Sequence, residues 1–167
     1  MTIGDRVVIA GTGAAPAPLS KGFSLLELVL VLAILAVLAA IAAPRYAGAA
    51  SRYRADCAAR RIAADLGMAR GRARAASASR SVVFTLSPAS YKMPGVRDPD
   101  RPGSDYTVNL SEEPYRVTLV SVNFGGDAQV VFSGYGLPDS GGTVRVRAGD
   151  CEKTVVLEPA NGEVSVQ

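Results

Sequence analysis

From Phe23 to Ala43 the chain runs for 21 residues in which only Ser24 and Glu27 are polar. No other feature limits its folding options as much. A helix of that length spans about 30 Å, the thickness of the hydrocarbon core of a bilayer. The single carboxylate, Glu27, lies near the start of the run. A charge held at mid-bilayer costs about 2.5–3.5 kcal/mol or more, so an acid in such a segment calls for a partner. The plain alternative is a signal anchor carrying a stray acid.

The residues that open the run are Lys21-Gly22-Phe23-Ser24-Leu25-Leu26-Glu27. This stretch resembles the processing site of type IV prepilins and of the pseudopilins of type II secretion systems. The resemblance extends over residues 21–46, to Pro44, where these proteins commonly carry a helix-bending proline. It implies that a prepilin peptidase on the cytoplasmic side cleaves after Gly22. It also implies that the new terminus, Phe23, is N-methylated, and that Glu27 meets the terminal amine of a neighbouring subunit when helices stack in a filament. A cleaved secretory signal has a shorter apolar core followed by small residues at its cut. Here the implied cut precedes the run, which stays in the mature protein. On this basis residues 1–22 are a leader, 23–43 a transmembrane and filament-core helix, 44–80 its amphipathic continuation, and 81–167 a β-rich domain in the periplasm, held to the inner membrane by a single pass. One count opposes that orientation. Arg45, Arg52, Arg54, Arg60 and Arg61 crowd the far side of the span, whereas the leader has only Arg6 and Lys21, the reverse of the positive-inside rule.

The net charge of +3 hides a division. Nine arginines face two aspartates between Arg45 and Arg80, and seven basic residues face eleven acidic ones from Ser81 onward. Tyr46, Ala50, Tyr53 and Cys57, and then Ile62, Leu66, Ala69 and Ala73, recur at three- and four-residue spacing and predict an apolar stripe on a helix running to about Ser79. A bend is expected near Pro44, and Gly67 is a place where this helix breaks most readily. Beyond Ser81, runs at 82–86, 106–110, 115–122, 129–132, 143–147, 153–157 and 163–166 read as strands between Gly-, Pro- and Ser-rich turns. The expectation is an α+β fold, a long N-terminal helix packed against antiparallel sheet. The basic, Ala-rich helix leading into a strand (Leu66 to Leu86), then Val131-Phe132-Ser133-Gly134-Tyr135-Gly136 and alternating strands, resemble the GspH/FimT type of minor pseudopilin, built as a helix against two β-sheets. That resemblance implies a structural subunit of a type II secretion pseudopilus, or alternatively a FimT-like minor pilin of a type IV pilus. The implied partners are the peptidase, other pilins or pseudopilins, and an inner-membrane assembly platform.

Catalysis finds little to work with. The chain has no histidine, which removes imidazole bases and histidine-bound zinc, and no phosphate-cradling Gly-x4-Gly-Lys loop. No enzyme activity and no cofactor are expected. Cys57 and Cys151 are the only cysteines; they read either as a disulfide tying helix to sheet or as two free thiols. Asp98, Asp100 and Asp105 share a loop and are weak candidates for calcium, against the alternative of a solvated turn. Arg70 and Arg74 share a helix face while Arg72 points elsewhere. The three read as a solvated or packing surface, with phosphate contacts to nucleic acid as the minor alternative.

Overall fold

The computed structural model describes residues 22–167, with the expected leader lying outside them save for Gly22. Helix α1 spans Leu25–Ala76 and eight strands follow: β1 (Arg80–Thr85), β2 (Ser90–Arg97), β3 (Asp105–Asn109), β4 (Thr118–Phe124), β5 (Gln129–Phe132), β6 (Gly142–Ala148), β7 (Cys151–Leu157) and β8 (Val164–Val166). The chain divides into two units, one ending at Ala39 and one formed by Ala40–Gln167.

In the first unit Ser24 starts the helix by accepting the Leu28 N–H on its carbonyl, and Glu27 stands in the first turn, where a negative charge suits the helix dipole. Leucine, valine and isoleucine side chains are exposed on all sides of this segment. It is long and apolar enough to cross a membrane.

In the second unit the helix contributes a narrow stripe to the core: Ala55, Ala58, Ala59, Ile62, Leu66, Ala69 and Ala73 are buried. The expected stripe holds from Ile62 onward and fails before it, because Tyr46 and Tyr53 are exposed. The step from Cys57 to Ile62 is five residues, which turns a helix by about 140°, so the earlier positions lie on a different face. The helix runs through Pro44 and Gly67 as one element. It ends in a left-handed cap: Ser77 has φ 47°, its N–H bonds the Arg74 carbonyl, and the Ala78 N–H bonds the Ala73 carbonyl, a Schellman arrangement. A Cβ on Gly134 would come within 2.8 Å of the Ser77 carbonyl carbon, so glycine there admits the cap.

The strands form two four-stranded antiparallel sheets, ordered β3-β2-β1-β5 and β4-β6-β7-β8. Phe84, Tyr91, Met93, Val130 and Phe132 of the first and Leu119, Val144, Val146, Val155 and Leu157 of the second join the helix stripe in one core. Strand β2 was not expected. It holds Pro94 and Gly95, which discourage a strand reading; its register shifts between Met93 and Arg97, and Gly95 has φ 73° there, so an irregularity absorbs both residues. Strand β4 starts later than expected, since Tyr115 and Arg116 turn back onto the Glu112 carbonyl. Cys151 opens β7 instead of lying between strands.

Candidate functional site

Gly22, Phe23 and Ser24 lead into α1 without regular structure. Phe23 is 82% exposed. Among the described residues nothing lies within 4 Å of where a Cβ on Gly22 would sit, so their packing makes no demand for glycine at this position. The residue type there answers to something other than the fold. Glu27 is exposed and has no cationic partner among the described residues. Gly22, Phe23 and Glu27 therefore form a short, open group at the head of an apolar helix, with a carboxylate whose charge is unanswered.

The acid placed on the core side of α1 is the opposite case, and the sequence reading passed over it. Asp65 is 6% exposed. Its Oδ2 accepts hydrogen bonds from Tyr91 Oη at 2.5 Å, Tyr106 Oη at 2.8 Å and Arg61 Nε at 3.1 Å. Arg61 Nη2 also donates to Tyr106 Oη. The cluster joins the helix to β2 and β3 and satisfies a charge that burial would otherwise make costly. Burial, reinforced by the neighbouring Asp65 charge, pushes the Tyr91 hydroxyl well above its usual range. Tyr106 is raised by burial and by its hydrogen bond to Asp65. For Arg61 burial favours the neutral form, but the Tyr106 bond and the Asp65 charge outweigh it and hold the guanidinium protonated. The available signal was an aspartate four residues after an arginine, inside a run of core alanines, isoleucine and leucine.

The three arginines divide. Arg74 Nε donates to the Tyr135 carbonyl at 2.9 Å, and Arg70 Nη1 to the Gly162 carbonyl at 3.3 Å. Both pin loops against the end of α1. Arg72 is exposed and lines a shallow hollow with Arg80 and Gly95. Among the acidic candidates, Asp98 Oδ1 accepts the Asp100 N–H and Asp105 Oδ1 the Gly95 N–H. Among the described residues no group of three or more acidic, cysteine or histidine side chains gathers as a metal site.

Cys57 and Cys151 are free thiols, both half-buried. Cys57 lines a hollow of about 450 Å³ with Tyr53, Arg54, Pro114 and Tyr115, beside the segment that leads into β4. Cys151 lies on β7, and β6 separates β4 from β7. On the outward face Glu152 bridges Arg145 at 2.6 Å and Arg147 at 2.5 Å. The Arg147 hydrogen bond, with help from Arg145, lowers its carboxyl from the usual range.

Residues 18–43 match the family profile of the prokaryotic N-terminal methylation motif. Among solved structures, the crystal structure of the type IV minor pilin FimU of Pseudomonas aeruginosa is similar, with a TM-score of 0.53 and 14% identity over 70% of this chain and 90% of that one. No curated protein sequence matches significantly. The chain thus carries a prepilin-type methylation motif and a pilin fold: a long apolar N-terminal helix with two antiparallel sheets.

Proposed function

We propose that this chain is a minor, non-enzymatic subunit of a pilin-like filament, most simply the pseudopilus of a type II secretion system. Residues 23–43 anchor it in the inner membrane with the β-rich body in the periplasm. A prepilin peptidase removes the leader after Gly22, Phe23 is methylated, and an assembly platform adds the subunit to other pseudopilins. The observation that carries this reading is that, among the described residues, the Glu27 charge is unanswered and lies five residues beyond an exposed glycine whose type their packing does not require. A terminal amine on a neighbouring Phe23 neutralises that charge in an apolar surrounding, where an unpaired carboxylate is expensive. Assembly in register is then energetically favoured over sliding, because each slip strands a charge.

A type IV pilus is the second reading, favoured by the likeness of the fold to a type IV minor pilin. In it, contact with DNA falls mainly to Arg72, since Arg70 and Arg74 donate to loop carbonyls. A clean deletion strain separates the two. Loss of exoproteins from the medium with piliation and transformation intact is expected for the pseudopilus. Normal secretion with pili or transformation lost moves the chain to the type IV machine.

A further inference from the structure

The dipeptide Arg45-Tyr46 recurs seven residues later as Arg52-Tyr53. Seven residues make almost two helical turns, so the two pairs stand one above the other on the same side of α1. The core uses none of them. Tyr46 and Tyr53 are 79% and 72% exposed, and Arg45 and Arg52 are exposed too. Neither arginine has a carboxylate partner among the described residues. Two cations and two exposed amphipathic rings are therefore held in a row, and among the described residues no carboxylate meets the cations.

We infer that this stripe docks on the anionic phospholipid surface of the membrane leaflet from which the body emerges, a contact distinct from the span itself. The inference rests on the anchor reading for residues 23–43. Bilayer headgroups occupy about 5–8 Å beyond the hydrocarbon on each side, and a helix rises about 1.5 Å per residue. Arg45 and Tyr46 then fall within the headgroup layer. Arg52 lies about 13 Å beyond Ala43 on the same scale, and helical side chains lean toward the helix N-terminus, here the membrane. Guanidinium groups bind phosphate oxygens in pairs of hydrogen bonds, and tyrosine prefers the boundary between water and lipid. The same chemistry gives a role to Arg45 and Arg52, two of the five arginines that crowd the far side of the span: these charges hold the body down at the surface it has reached. Incorporation into a filament then has to strip them from lipid, which makes the docked state a resting posture.

The chain contains no tryptophan, so Tyr46→Trp and Tyr53→Trp each install a single reporter at an exposed position. Full-length protein is reconstituted in vesicles of phosphatidylcholine, alone or mixed with phosphatidylglycerol, each containing phosphatidylcholine spin-labelled on its headgroup. Quenching of the reporter at 53 is expected to rise with phosphatidylglycerol and to fall with added salt. A basic residue near an anionic surface is worth about fivefold in population. Arg45→Ser combined with Arg52→Ser is therefore expected to lower the docked population about 25-fold, with the protein still resistant to carbonate extraction. Quenching indifferent to lipid charge or to the arginines, in protein that resists extraction, overturns the inference and leaves the anchor standing. Extraction by carbonate defeats the anchor reading itself. A salt-sensitive signal that depends on protein concentration and not on lipid charge assigns the stripe to a second copy of the chain and also overturns the inference.

Discussion

Two stretches of one helix, Leu25–Ala39 and Ala55–Ala73, treat the same problem in opposite ways. The first is apolar on every side and exposed throughout; the second is apolar on one side only and buries that side against strands. Each holds one acid at odds with its apolar neighbours. Asp65 has three donors on one oxygen, all from its own chain. Glu27 has no cation among the described residues. A buried charge answered from within belongs to the fold, whereas on the proposed reading the charge left unanswered in the apolar segment is met by another molecule. The two acids should therefore fail differently when removed.

The larger failure is expected at Glu27. On the proposed reading Glu27→Ala abolishes recovery of the subunit with sheared or cross-linked filaments, while cleavage of the leader, read by mass, continues and the body keeps its stability. Normal recruitment of this variant would erase the contrast. Asp65→Ala is expected to do the reverse. It leaves Arg61, Tyr91 and Tyr106 without their acceptor and costs about 3–5 kcal/mol, the usual penalty for breaking a buried charged cluster. Urea unfolding of the full chain in detergent, followed by near-ultraviolet circular dichroism of the tyrosines, measures it. Asp65→Asn keeps one acceptor oxygen and should lose less; equal losses in the two variants would mean that packing, not hydrogen bonding, dominates the site.

The same contrast explains what could be read from the sequence. The apolar run and its glycine and glutamate are contiguous, and their chemistry is local, so the motif and the helix were visible in residue order alone. Strands with clean alternation, β6 and β7, were visible for the same reason. The Asp65 cluster joins positions 26 and 41 residues apart, and its tyrosines face inward only because β2 exists, the one strand that Pro94 and Gly95 concealed. Missing β2 hid the partners of Asp65. The arginine face was legible only in part for a related reason: Arg70 and Arg74 are donors to loops that lie 92 and 61 residues away. Helical spacing shows which residues share a face, but not what that face meets.

The smallest effect expected in the contrast is its dependence on pH. Tyr91 is almost fully buried, and its hydroxyl is held well above its ordinary value of 10.0 by burial and by the Asp65 charge. Raising the pH past about 10 ionises this tyrosine in the unfolded chain and not in the folded one. The unfolded state then binds fewer protons, so unfolding free energy falls with pH by about 1.4 kcal/mol per unit for this one group. The stabilising preference is complete below pH 10 and is lost above it. Tyr91→Phe removes the titration along with one hydrogen bond, so the variant starts about 1 kcal/mol less stable at neutral pH and overtakes the parent as the solution becomes strongly alkaline. Parallel curves for the two proteins between pH 9 and 11 would show that the hydroxyl ionises as readily in the fold as outside it. Asp65 would then act on Tyr91 as a hydrogen-bond acceptor without its charge or the burial shifting the ionisation of the hydroxyl.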